Sequence, residues 1–139
     1  MNVPLRHAVR LHLVVAGETA VPVDAALSYD PADPYAVTAV FHADETVPVT
    51  WTFGRDLLMA GTQNPSGEGD VVVWPWITDG RPVVCIALSS PSGEALLEAS
   101  LPDVQAFLTA SFTLLPAGRE SERIDIDSAI ERLLSHKAL

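Results

Sequence analysis

The chain has 139 residues, 48% of them hydrophobic, which suits one domain with a real core and excludes extended disorder and a bilayer-spanning segment. Eight basic against eighteen acidic side chains give a formal charge of −10, which opposes binding to nucleic acids and to anionic lipid headgroups. Because no uninterrupted apolar run near the amino terminus resembles a secretory signal, we expect a single cytoplasmic domain over residues 1–139 without membrane insertion.

Alternating apolar and polar residues predict four strands in the first part of the chain. The first strand turns Arg10 and His12 to one face and four aliphatic residues to the other: Val9, Leu11, Leu13 and Val15. Three further strands follow at residues 23–29, 37–41 and 47–53. Pro48 marks either the start of the last one or a sheet edge. Two prolines within residues 30–34 predict a rigid turn between the second and third strands: Pro31 and Pro34.

A short helix is predicted next, at residues 55–60, ended by Gly61 as the first residue beyond it (C′). The following stretch, residues 62–70, is polar and rich in glycine and therefore forms a loop. It contains no lysine of the phosphate-binding kind, and its acidic side chains would repel phosphate, so we expect no nucleotide site there.

Two apolar strands at residues 71–77 and 83–88 are predicted to form a hairpin, because Asp79-Gly80 is a typical two-residue hairpin turn. A last strand follows at 95–99. Both hairpin strands are apolar at odd and even positions, whereas a sheet with one wet face should alternate. We place this hairpin at the centre of the sheet, with both faces covered by the chain's own helices or by another subunit.

The remainder of the chain is predicted to be helical. One helix begins after Ser100, where Asp103 completes a weak capping box, and its inner face consists of Val104, Phe107, Leu108, Phe112 and Leu115. Asp125 or Asp127 caps a final helix, whose inner face consists of Ile126, Ile130, Leu133 and Leu134. Seven strands followed by helices predict an α+β fold with a mainly antiparallel sheet.

Catalytic and metal-binding patterns are weak in this sequence. The four histidines do not share the spacing of metal ligands, and there is no Gly-x-Ser-x-Gly motif. Cys85, the single cysteine, stands in an apolar strand that predicts a buried, protonated thiol. His42 precedes two acidic residues, but its place at a strand end indicates surface polarity. We predict a non-enzymatic protein without catalytic residues, metal or cofactor; an enzyme would need a pocket around His42 or Cys85.

The three tryptophans differ in their expected roles. Trp51 shares a face with Phe53 and is predicted to lie in the core. Trp74 and Trp76 occupy the opposite face of an already apolar strand, which indicates either core or a surface for another subunit or a partner. Base stacking would use exposed aromatic side chains of this kind, but basic neighbours are lacking.

Four stretches carry a resemblance to SsgA-like proteins, in the same order and with similar spacing: YDPADPYAV at 29–37, WTFGRDLL at 51–58, GDVVVWP at 69–75 and VCIALSSPSGEALLEA at 84–99. The last of them resembles the SsgB branch of that family in particular. The resemblance runs from about residue 9 to the C-terminal helix and therefore covers nearly the whole chain.

The resemblance implies a regulator of sporulation-specific cell division in an actinomycete. It implies a cytoplasmic protein that localises to the division septum and recruits FtsZ with the help of an SsgA-type partner. It also implies a curved, whirly-like antiparallel sheet, assembled as a homotrimer, and it supplies no catalytic residues. The alternative is a single-stranded nucleic-acid-binding module of whirly-like fold, which would require a contiguous basic groove despite the charge of −10.

Overall fold

The computed structural model describes residues 4–14, 20–42, 47–122 and Leu133. Within these residues, seven strands form one antiparallel sheet, in the order β4-β3-β2-β1-β7-β6-β5. The α+β class and the number of strands are therefore confirmed. The elements in chain order are β1 (Leu5–Val14), β2 (Val21–Tyr29), β3 (Ala36–Phe41), β4 (Val49–Gly54), α1 (Arg55–Gly61), β5 (Val71–Thr78), β6 (Arg81–Ser90), β7 (Gly93–Ser100) and α2 (Leu101–Leu114).

The sheet consists of two meanders, β1 to β4 and β5 to β7, joined along one seam between β1 and β7. In that seam Leu11 pairs with Ala99 and Val14 pairs with Leu96. Because β7 returns to the free side of β1, the β5–β6 hairpin is displaced to the edge of the sheet. The prediction of a central hairpin was wrong, since its apolar pattern indicated burial but not which strand would be its neighbour.

One face of the sheet packs beneath α2. The helix buries Val104, Phe107 and Leu108, three residues of the predicted inner face. Alternation in β1 is as predicted, because Val9 and Leu11 are buried, whereas Arg10 and His12 are exposed. The remaining strands add the rest of the buried cluster on this face, including Val23, Leu27, Val37, Phe41, Phe53, Val73, Val84, Ile86 and Leu97. Trp51 is partly buried and packs against this core.

The sheet is strongly curved, as the short helix α1 between β4 and β5 in the chain shows. In a flat sheet, β4 and β5 would stand about 29 Å apart. The helix is only about 10 Å long, yet it starts directly after β4 and contacts β5. Leu58 of α1 is completely buried in the core. The end of β4 and the start of β5 must therefore approach each other, joined by α1.

Gly61 owes its identity to this close approach. It lies inside α1 and not beyond it: the C-cap is Thr62, in a right-handed conformation with φ −74°. The prediction that Gly61 lies beyond the helix as its C′ residue was therefore wrong. A β-carbon at Gly61 would overlap the side chain of Val73 in β5. Absence of a side chain, and not conformational freedom, is what this position requires.

The predicted turns are confirmed. Asp79 and Gly80 have φ values of 51° and 75°, which are the left-handed conformations of a two-residue hairpin turn. In the turn at residues 30–34, Asp30 accepts hydrogen bonds from the backbone N–H groups of Ala32 on its side chain (2.9 Å) and of Asp33 on its carbonyl (2.9 Å). Local residue chemistry thus determines both connections.

Two predictions for the C-terminal part of the chain differ from the structure. Ser100 precedes α2, but its side chain makes no capping hydrogen bond, so the predicted capping box is absent at this helix start. The chain is helical again at residues 120–122, before the predicted caps Asp125 and Asp127, which lie outside the described residues. Leu133, predicted to lie on an inner face, is 63% exposed.

A buried arginine, Arg55, connects the end of α2 to the sheet by hydrogen bonds and stacking. Arg55 lies between two aromatic rings, with its guanidinium carbon 4.4 Å from the ring centre of Tyr29 and 4.2 Å from that of Phe112. Its Nη1 donates to the carbonyl oxygens of Ser111 (3.1 Å) and Leu115 (2.9 Å) at the C-terminal end of α2. The Ser111 oxygen also accepts from the N–H of Leu115 (3.0 Å). Arg55 therefore stabilises the helix end as well as the core.

The same guanidinium pairs with Glu120, whose carboxylate Oε1 accepts from Nη2 at 2.9 Å. Burial alone would raise the pKa of Glu120, but hydrogen bonds from its own backbone N–H and from Arg55, together with the positive charge of Arg55, lower that pKa below its usual value. The charged carboxylate thus contributes stability above the pKa of an unfolded glutamate. That contribution is lost as the pH falls through the lowered pKa.

Candidate interaction surface

The tip of the β5–β6 hairpin exposes two large apolar side chains. Trp76 is 61% exposed and Ile77 is 68% exposed. The last pair between β6 and β7 joins Val83 to Ser100, so the hairpin extends beyond the end of β7 and has no third strand beside its tip. We call the surface formed by Trp76, Ile77 and the adjoining Pro82 the hairpin tip.

Beside the hairpin tip lies an open apolar depression of about 490 Å³. Its lining includes Leu101, the first residue of α2, so the depression sits between the overhanging hairpin and the start of the helix. The remaining lining residues are Pro75, Trp76, Ile77, Pro82 and Val83. Exposed apolar surface with a concave neighbour is typical of a site for another protein chain. Ile77 and Leu101 were not among the predicted site residues.

The two predicted tryptophans share a face but differ in environment. Trp74 pairs with Cys85 across the strands and is partly buried, whereas Trp76 pairs with Val83 and is exposed. This face lies opposite Val73 and the main core. Thr78 Oγ1 donates to Glu98 Oε2 at 3.3 Å, which ties the hairpin to β7. Trp76 therefore belongs to the candidate surface, and Trp74 supports the strand beneath it.

Cys85 is 3% exposed although it lies on the sheet face opposite α2. Burial raises the pKa of its thiol to about 11, and the negative charge of Glu98 adds to this effect. The thiol is therefore protonated and unreactive at neutral pH, as the apolar strand predicted.

We expect Cys85 to react with a disulfide reagent at pH 8 at least about a hundredfold more slowly in the folded chain than in urea, because the thiolate is rare and shielded. The measurement is the rate of colour release from Ellman's reagent. Equal rates in the two states would show that Cys85 is accessible and its pKa ordinary.

The described residues bring together no set of three or more metal-ligating side chains. Most of their arginines are paired with carboxylates: Arg10 with Asp24 at 3.7 Å, Arg55 with Glu120, and Arg119 with Glu122 at 3.0 Å. Pairing neutralises the charge that phosphate binding would need. The described residues thus offer little unpaired basic charge to a phosphate backbone.

Comparison with known proteins gives the family. The model of the family described as "Streptomyces sporulation and cell division protein, SsgA" matches residues 23–120. The chain belongs to the SsgA family. Sporulation-specific cell division protein SsgB of Streptomyces coelicolor is 47% identical to it over 135 residues, covering 97% of this chain and 98% of that protein. The resemblance to the family and to its SsgB branch is therefore confirmed.

Solved structures from the family share the fold. An SsgA-like sporulation-specific cell division protein from Thermobifida fusca superposes with a TM-score of 0.87 at 41% identity, covering 94% of this chain and 96% of that one. A Streptomyces coelicolor structure, from work in which mutations in SsgB correlate to longitudinal cell division during sporulation, gives a TM-score of 0.85 at 49% identity, covering 88% and 97%. The curved seven-stranded sheet is thus the family's architecture. Within the described parts of this chain, no helix is both long and apolar enough to cross a bilayer.

Proposed function

We propose that this chain is a non-enzymatic regulator of sporulation-specific cell division, which localises to septum sites and recruits FtsZ. The observation that carries the proposal is the 47% identity to SsgB of Streptomyces coelicolor over nearly the full length of both chains. Function is inferred from this relationship and from the exposed apolar surface, since the described residues assemble no metal-ligating cluster and their single thiol is buried.

The hairpin tip supports a role in protein contacts. Trp76 and Ile77 expose large apolar side chains that gain free energy when a partner removes them from water. We propose that they serve assembly into a homotrimer or contact with FtsZ and an SsgA-type partner. Repetition of the surface in a trimer would raise the effective concentration for a polymeric partner.

We expect the wild-type chain to sediment with FtsZ polymers and to have a solution mass three times the 14.8 kDa of one chain. Replacing Trp76 by serine should weaken co-sedimentation at least about tenfold, because a central aromatic contact is lost. Light scattering of the same variant assigns the contact: a fall in mass places Trp76 between subunits, and an unchanged mass places it against FtsZ.

A matched control is Leu114→Ser, since Leu114 is also an exposed apolar residue (45%) but lies at the other end of α2 from Leu101. This variant should sediment like the wild type. Absence of the wild-type chain from FtsZ pellets would overturn direct recruitment, and a monomeric mass at micromolar concentration would overturn the trimer.

A further inference from the structure

The outer edge of β4 carries backbone groups that have no hydrogen-bond partner in the described part of the chain. Arg55 N donates to Tyr35 O at 2.8 Å, which continues the β3–β4 ladder by one pair. Bonds in an antiparallel ladder alternate, so Trp51 and Phe53 bond to β3, whereas Thr50 and Thr52 point their N–H and C=O groups away from it. Among the described residues, none hydrogen-bonds to these outward groups.

The opposite edge of the sheet is closed. Ser66 and Val73 exchange two backbone hydrogen bonds (2.8 and 2.9 Å) on the outer side of β5. The next outward position along that strand is Pro75, which has no N–H to donate. A covering loop and a proline are two of the ways in which proteins protect an edge strand from pairing with another chain.

Within Val49–Gly54, no described residue gives β4 such protection; Pro48, the outward position before Thr50, precedes the strand. Val49–Gly54 contains no charged residue and no proline, and its register with β3 runs without a bulge from Val49 to Gly54. The strand is uncharged and rich in residues that favour β structure, with Thr50 and Thr52 both exposed. Its outer edge is therefore a ready template for one additional strand.

The identity of the occupant follows from symmetry and charge. A closed ring of subunits would need β4 of one copy to pair with β5 of the next, which Ser66 and Pro75 prevent. Between a second copy and another chain, charge favours the latter at this edge, because two-fold pairing of β4 would set two chains of charge −10 side by side, whereas a segment with basic ends would be attracted. Asp56, exposed directly after β4, adds a negative charge at the end of the strand.

We propose that the outer edge of β4 binds an extended segment of another protein by strand addition. The segment is uncharged over the four to six residues that pair and carries Lys or Arg at its ends, where it meets the acidic chain. This site is separate from the hairpin tip. It does not depend on FtsZ being the partner.

The test uses a fluorescein-labelled peptide of the sequence KKTVTVTVKK and the full chain. Fluorescence anisotropy measures binding, and NMR-detected hydrogen exchange reports the amides of Thr50 and Thr52. We expect both amides to become protected when peptide binds. The peptide EETVTVTVEE should bind at least about tenfold more weakly, because like charges then meet at the strand ends.

Thr52→Pro and Thr52→Val form the matched pair of variants. Proline removes the outward N–H without breaking a bond to β3, whereas valine retains that N–H and alters only the side chain. We expect the proline variant to lose at least about tenfold in affinity and the valine variant to stay within about twofold. Equal binding by both, or no protection of the two amides in the wild type, would overturn the proposal.

Two hydrogen-exchange observations on the wild-type chain also decide the outcome. If the proline variant fails to fold, the amide protection in the wild type decides the question without it. Protection of Thr50 and Thr52 that rises with chain concentration in the absence of peptide would place a second copy at this edge and overturn the assignment. Because FtsZ is absent from these experiments, failure here is distinct from failure of FtsZ recruitment.

Discussion

Replacing Arg55 by methionine is expected to lower the free energy of unfolding by about 3–5 kcal/mol, which is typical when one member of a buried ion pair is removed. The variant leaves the Glu120 carboxylate uncompensated and removes the Arg55 donor from the carbonyls of Ser111 and Leu115, of which Ser111 keeps its bond from the N–H of Leu115. It also loses stacking on Tyr29 and Phe112. Urea unfolding followed by circular dichroism measures the change.

Arg119→Met is the matched control, because Arg119 also pairs with a glutamate at 3.0 Å but both partners are mostly exposed. Its cost should be below about 1 kcal/mol, as for other surface pairs. Similar losses for the two variants would contradict the view that burial makes Arg55 important. Lysine should not rescue position 55, because an ammonium cannot stack between two rings and reach three acceptors.

Replacing Gly61 by alanine is expected to destabilise the chain by about 1–3 kcal/mol, the usual cost of overpacking a core. The sign is informative, since glycine to alanine inside a helix ordinarily stabilises by roughly 1 kcal/mol. Here the new β-carbon overlaps Val73, which is completely buried. Chemical unfolding of the single variant gives the first measurement.

The double variant with Val73→Ala relieves part of the overlap, because it removes Cγ1 of Val73 and keeps Cβ. If the overlap causes the loss, the two changes together should cost at least about 1 kcal/mol less than the sum of their separate effects. Gly69→Ala is the control, because a β-carbon there meets nothing within 4 Å. A stabilising effect of Gly61→Ala would show that α1 is farther from β5 than the structure indicates.

Local features of the fold could be predicted from the sequence, because they depend on residues close together in the chain. Asp79-Gly80 supplies its own turn conformation, and the alternation in β1 separates Val9 and Leu11 from Arg10. Strand order could not be predicted in the same way. Which strand lies beside β6 depends on the seam between β1 and β7, whose partners are more than 80 residues apart.

The buried contacts of Arg55 could not be predicted from the sequence for the same reason. The sequence predicts Arg55 only as the first residue of a short helix. The groups that accept its hydrogen bonds lie 56, 60 and 65 residues farther along the chain. At the candidate surface, Trp74 and Trp76 follow the same alternation, and only the overhang beyond β7 separates a supporting residue from an exposed one. That overhang depends on where β7 ends relative to its neighbour.

The seam between β1 and β7 has a consequence for the kinetics of folding. Each meander is built from neighbouring strands and can form through contacts of low sequence separation. Joining them requires Val14 to find Leu96, a large loop closure whose entropy must be lost before the contacts form. Docking of the two meanders is therefore the natural rate-limiting step, and until it occurs each half exposes an unpaired edge on which misassembly would begin.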